Sequence, residues 1–170
     1  VIMRSVLPGS PEIISAVLSH SQVLTALHQA CFVPGWTVND VFNFLSSPGT
    51  DALAAIEGFN STEEPGPVKG PSGFVMYKIM ADQCDIITLC VHPEIRRRGT
   101  AHHLLNAMEH VLVERGISKV FLEVRESNAG AIRLYEQLGY MRTGHRKNYY
   151  RHRYSREDAL LYRKELASIT

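Results

Sequence analysis

The stretch Ile86-Ile87-Thr88-Leu89-Cys90-Val91, followed by His92-Pro93-Glu94-Ile95 and then Arg96-Arg97-Arg98-Gly99-Thr100-Ala101, decides how this chain is read. The first six residues are an apolar, strand-like run, and Leu104 to Val113 beyond them has helical amphipathic spacing. A strand that feeds a basic, Gly-containing turn opening a helix is suited to anions. The first backbone N–H groups of a helix have no partner within it and point outward with the positive end of its dipole. Gly99 removes a side chain where a phosphate would approach the backbone, and small Ala101 keeps the helix start clear. The turn has neither GxxxxGK[ST] nor GxGxxG spacing, so an ATP cradle and a Rossmann dinucleotide site are both unsupported.

The rest of the chain agrees with an anion-binding second half. Residues 1–91 carry three Lys/Arg against eight Asp/Glu, whereas residues 92–170 carry fifteen against nine. Such asymmetry fits a phosphorylated ligand or an acidic partner, and a solvated basic face is the plainer alternative. A length of 170 residues suits one domain, spanning 1–170, able to remove roughly 70% of the unfolded chain's surface from water. Cys31, Cys84 and Cys90 have no CxxC spacing, which argues against a structural zinc site and suits a reducing compartment. The apolar runs are short, and the first residues lack a basic segment followed by an apolar core. The expectation is a cytoplasmic protein with no membrane partner and no metal.

Outward from the central stretch, element signals alternate. Ile2 to Leu7 reads as a strand, and Ser10-Pro11 predicts a helix running to about Ala30, with Val23, Leu24, Leu27 and Cys31 on one side. Thr37 with Asp40 resembles a capping box for a short helix holding Val41, Phe42 and Leu45, which Ser47-Pro48-Gly49 ends. Ala52 to Phe59, Phe74 to Met80 and Ile86 to Val91 predict an antiparallel meander, the first two joined by an exposed, mobile loop from Asn60 to Gly73. Leu104, Leu105, Met108, Val111 and Leu112 form the buried side of the helix after Gly99, and Gly116 stops it. Val120 to Val124 is a strand, Ser127 or Asn128 caps a helix with Ala131, Leu134, Tyr135 and Leu138 inward, and Gly139 ends that helix. Tyr140 to Thr143 and Ala159 to Tyr162 are the last candidate strands, with a solvated, basic loop from His145 to Arg156 between them.

This order, with Arg96, Gly99 and Ala101 in [RQ]xxGx[GA] spacing, resembles the GNAT superfamily of acetyl-CoA-dependent N-acetyltransferases. Leu122-Glu123-Val124-Arg125, Ser127-Asn128-Ala129, Leu134-Tyr135-Glu136, Leu138-Gly139-Tyr140, Arg146-Lys147-Asn148-Tyr149-Tyr150 and Glu157-Asp158-Ala159 are similar to its RimI-type ribosomal-protein-alanine N-acetyltransferases. Phe32, Pro34 and Trp36-Thr37 echo the same group. The resemblance implies an α/β (α+β) fold: a mixed sheet of about six to seven strands flanked by helices, with a V-shaped splay between the two central strands. It also implies acetyl-CoA as cosubstrate and a protein N-terminus as acceptor, an alanine of a ribosomal protein being favoured. No direct nucleic-acid contact is required. A lysine side chain, a small-molecule amine, or a non-catalytic CoA-binding role are the alternatives. The Asn60 to Gly73 loop and Arg151-His152-Arg153-Tyr154 depart from the family pattern where acceptors are gripped.

Direct acetyl transfer to an amine needs a proton acceptor for the amine, a polarised carbonyl and a proton for the departing thiolate. Glu123, a carboxylate in an apolar strand, is either the base or the partner of Arg125 or another cation. Tyr135 is either a core aromatic or, as the resemblance implies, the acid, since a phenol stays protonated at neutral pH. By the same resemblance, Leu89, Cys90 and Val91 would bind the thioester arm through backbone N–H groups. Arg96, Arg97, Arg98, Gly99, Thr100 and Ala101 would hold the pyrophosphate, and Asn128 the pantetheine, although Asn128 equally suits a helix cap. Cys84 and Cys90 read as buried structural thiols. His102, His103 and His110 share a polar helix face without ligand spacing.

Overall fold

The computed structural model describes residues 10–57, 70–151 and 156–167. Seven strands among them form one mixed sheet: β1 (Glu12–Ala16), β2 (Thr50–Ile56), β3 (Gly73–Met80), β4 (Gln83–Val91), β5 (Lys119–Arg125), β6 (Met141–Arg151) and β7 (Arg156–Glu165). Their spatial order is β1-β2-β3-β4-β5-β7-β6. β2, β3 and β4 form the predicted antiparallel meander, and β1 adds to it antiparallel along β2. A parallel β4–β5 pair sits at the centre, because the intervening helix carries the chain back across one face.

Among the described residues four α-helices cover the two faces: α1 (Ser21–Cys31), α2 (Val38–Ser46), α3 (Thr100–Glu114) and α4 (Ala129–Gln137). One buried cluster joins Leu104, Leu105, Met108 and Leu112 of α3 and Tyr135 of α4 to Val75, Val120, Leu122 and Val124. The other joins Leu24 and Leu27 of α1 and Val41 of α2 to Ala52, Ala54, Phe74, Met76 and Cys90. Each helix thus buries the stripe that its spacing marks, and strand alternation supplies the complementary surface.

Several expectations change. The helix from Ser10-Pro11 is a strand and a short 3-10 turn (Leu18–His20) before α1 begins at Ser21. Pro11 serves here as a strand entry, since β-branched Ile13 and Ile14 pair with Ala55 and Ala54 of β2. The capping box is present, with the Asp40 N–H donating to Thr37 Oγ1 at 3.2 Å, but Phe42 is 48% exposed, its helix being too short to turn two faces inward. The solvated loop read at His145 to Arg156 is largely strand, because β6 continues to Arg151 along β7. The Ile2 to Leu7 strand and most of the Asn60 to Gly73 loop lie outside the described residues.

Candidate active site

The site begins where the sheet comes apart. β4 and β5 pair only from Gln83↔Lys119 to Ile86↔Leu122. Beyond that, β4 stays with β3 as far as Val91↔Gly73, and β5 stays with β7 as far as Arg125↔Ala159. A β-bulge coincides with the parting. Tyr77 pairs with Ile86 and Met76 with Thr88, which leaves Ile87 as the extra residue. A bulge bends its strand and reverses the phase of its side chains. Before it, Cys84 and Ile86 join the α3/α4 cluster; after it, Cys90 joins the α1/α2 cluster, and Leu89 is packed on the α3/α4 side. The predicted splay therefore has a local cause.

At the open end, a 3-10 turn (Pro93–Ile95) leads into the basic loop. Arg97 (φ 66) and Gly99 (φ 84) both take left-handed backbone conformations, which glycine adopts freely and arginine rarely. Gly99 is the N-cap of α3 and has no side chain to cap its first turn, so the leading N–H groups point to the outside. Arg97 and Arg98 are exposed, and Thr100 is buried. Arg96 turns back, its Nε donating to the Val91 carbonyl at 3.1 Å. That contact fastens the loop to the end of β4.

Glu123 and Tyr135 approach the gap from opposite sides. Alternation along β5 turns Leu122 and Val124 into the α3/α4 cluster and Glu123 the other way. Tyr135, on α4, is 6% exposed and packs edge-on against Tyr140 with ring centroids 5.6 Å apart. Burial, then the nearby Tyr150 and Cys90, push its phenol well above the usual range, so it is a proton donor at neutral pH. Asn128 caps α4, its Oδ1 accepting from the Ala131 N–H at 3.1 Å.

The cation beside Glu123 is Arg146, with Nη1 2.8 Å from Oε1. Arg125 pairs with Glu157 at 3.4 Å and lies 4.5 Å from the ring centroid of Tyr150. Tyr149 lies beside Glu123, whose carboxylate is the main cause raising its phenol, and Arg146 sits 5.3 Å from the Tyr149 ring centroid. Tyr150 is within electrostatic reach of both Glu123 and Tyr135. Asp85 of β4 also faces Glu123, and burial followed by that second carboxylate raises its carboxyl. Arg146, Tyr149 and Tyr150 thus gather around the two groups singled out from the sequence. The Arg146 to Tyr150 motif was the available signal, read as loop because two registers shift within β6.

Residues 22–140 match the sequence model of the Acetyltransferase (GNAT) family. The chain belongs to the GNAT acetyltransferase family. Among curated relatives of this GNAT chain, the [Ribosomal protein bS18]-alanine N-acetyltransferase of Escherichia coli strain K12 is 37% identical over 90 residues, covering 53% of this chain and 61% of the relative. The chain therefore spans about three fifths of the length of the curated relatives it matches. In structure it resembles the ribosomal-protein-S18-alanine N-acetyltransferase of E. coli, with a TM-score of 0.80 at 24% identity over 94% of this chain and 96% of that one. It also resembles Arabidopsis thaliana NAA60 in complex with acetyl-CoA, with a TM-score of 0.77 at 21% identity over 91% and 97%. These structural likenesses establish the fold. Among the described residues of this GNAT chain, no helix is long and apolar enough to cross a membrane.

Proposed function

We propose that this domain transfers the acetyl group of acetyl-CoA to the α-amine at the N-terminus of a protein, the N-terminal alanine of a ribosomal protein being the favoured acceptor. The observation that carries the reading is the parting of β4 from β5 with Glu123 and Tyr135 on opposite sides of it. The relatives named above act on a ribosomal-protein alanine or bind acetyl-CoA, and they support the same choice.

The residues fit the cosubstrate. The uncapped first turn of α3, with Arg97 and Arg98 beside it, suits a pyrophosphate. The backbone of Leu89, Cys90 and Val91, released from β5, can hydrogen-bond the amides of the pantetheine arm and polarise the thioester carbonyl. Asn128 keeps its amide nitrogen as a donor while its oxygen caps α4.

An α-amine with an ordinary pKa near 8 is mostly protonated at neutral pH, and Glu123, directly or through one water, takes its proton. The amine nitrogen then bonds to the carbonyl carbon, the carbon–sulfur bond breaks, and Tyr135 gives its proton to the leaving sulfur; the nitrogen sheds its remaining extra proton to solvent as it becomes an amide, and solvent restores the Tyr135 hydroxyl. Because Arg146 already pairs with Glu123 and Tyr149 lies beside it, an acceptor must reach the carboxylate past them. That requirement puts Tyr149 and Arg146 in the acceptor's path.

The test is release of free CoA thiol from acetyl-CoA with a panel of peptides. Turnover on peptides beginning with Ala is expected. Turnover confined to lysine side chains or polyamines would overturn the acceptor, and acetyl-CoA binding without turnover would overturn the enzyme reading. Tyr135→Phe should lower kcat by about a hundredfold while leaving the acetyl-CoA Kd nearly unchanged. An unchanged kcat removes its role as the acid.

A further inference from the structure

Two cysteines that the proposed chemistry does not use meet at the end of the cofactor strand. Cys31 is the last residue of α1 and Cys90 the penultimate residue of β4. Cys31 Sγ donates to the Val91 carbonyl at 3.3 Å, and Cys31 packs against the buried cluster that contains Cys90, close enough for each thiol to shift the other. The same Val91 carbonyl accepts from Arg96 Nε, so the guanidinium stands beside Cys31, and His92 is close by.

The surroundings of the pair are unequal. Cys31 is partly exposed, whereas Cys90 is 1% exposed beneath it. Contact with Cys90, then Arg96 and His92, outweigh burial and hold the Cys31 thiol below the usual thiol range. Burial pushes the Cys90 thiol up, with Thr88 Oγ1 3.6 Å away. Cys84 belongs to the other core cluster, and burial there pushes its thiol up to about 12. One partly exposed sulfur beside a guanidinium, one buried sulfur beneath it and one isolated sulfur make an internally controlled set.

We propose that Cys31 is a site of oxidation by hydroperoxides and that Cys90 closes it as an intramolecular disulfide. The Cys31 thiolate attacks one peroxide oxygen. An S–O bond forms, the O–O bond breaks, and the departing hydroxide takes up a proton to become water. The Cys90 sulfur then attacks the Cys31 sulfenic acid. An S–S bond forms, the S–O bond breaks, and the hydroxyl leaves as a second water with the Cys90 proton. Two thiols are oxidised and one hydroperoxide is reduced. The bridge also removes the proton that Cys31 donates to Val91, at the point where β4 meets the anion loop.

The experiment is treatment of the reduced protein with a few equivalents of hydrogen peroxide, alkylation, and peptide mapping without reductant. The expected product links the Cys31 and Cys90 peptides, leaves Cys84 alkylated, and returns to free thiols with dithiothreitol. Cys31→Ser should slow thiol loss about tenfold or more. Cys90→Ala should retain a Cys31 sulfenic acid that dimedone traps. The proposal is overturned if Cys31 remains alkylatable, if it advances to sulfinic acid in the unsubstituted protein without bridging, or if the linkage involves Cys84 or a second chain.

Discussion

His28 shows how one side chain ties the stability of the fold to pH. Its ring is 4% exposed, stacks on Trp36 at 4.1 Å and leans on Phe32 at 4.6 Å, while Nδ1 accepts the Trp36 N–H at 3.1 Å. Burial, only partly opposed by Asp40, pushes it down to about 4 from 6.5. The folded protein therefore resists a proton that the unfolded chain accepts. Stability is complete above about pH 6.5 and is lost as pH falls toward 4. Thermal denaturation should give a lower Tm at pH 5 than at pH 7, and His28→Gln should shrink that difference even if it lowers both values. An unchanged difference would place the acid sensitivity elsewhere. At the same scale, Glu123 is legible as a costly carboxylate in an apolar strand. Its partner is not, because Arg146 reaches it from β6 across the intervening β7.

At the scale of the element, the decisive piece is the irregular stretch of β6. Arg146 lies opposite Ala159 and Tyr150 opposite Glu157, so three residues of β6 face the single Asp158 of β7. Asp158 pins this excess. Its carboxylate accepts the Asn148 N–H at 2.7 Å and pairs with His145 Nε2 at 2.8 Å, and those two contacts in that order hold its carboxyl below the usual range. Asn148 takes a φ of 53°, a conformation asparagine tolerates better than most residues. The pinned excess sets Tyr149 beside Glu123 and Tyr150 within electrostatic reach of both Glu123 and Tyr135. Asp158→Ala should cut kcat/KM for the acceptor roughly tenfold or more, with a smaller change in acetyl-CoA Kd. Equal losses in both would mean a general loosening. Helix ends at Ser47-Pro48-Gly49, Gly116 and Asn128 were readable because capping and breaking are local chemistry. The identity of β1, the phase reversal at Ile87 and the excess in β6 were not, since each is set by a partner strand remote in sequence.

Across the whole molecule, the two faces of the sheet have separate cores and separate tasks. The α3/α4 side carries Tyr135 and the uncapped helix start, and the α1/α2 side carries the Cys31–Cys90 pair and the His28–Trp36 stack. The sequence shows the charge division behind this, since the basic half begins just where β4 ends. It also shows both apolar sets of helix positions. What it does not show is that the opening between the strands makes the two faces meet.

That opening leaves the protein with an edge in the middle of its sheet. Residues Thr88 to Val91 have a ladder on the β3 side alone, like the outermost strand of any sheet, yet they lie at the centre of the fold. A pantetheine arm laid there would supply missing rungs, so the cosubstrate would finish the architecture as well as react in it. Backbone amides of residues 88–91 that face the gap should exchange with deuterium faster than those of residues 84–86 facing β5. Acetyl-CoA should slow them, and Tm should climb with its concentration. Exchange that ignores the ligand would mean that the arm binds without completing the ladder.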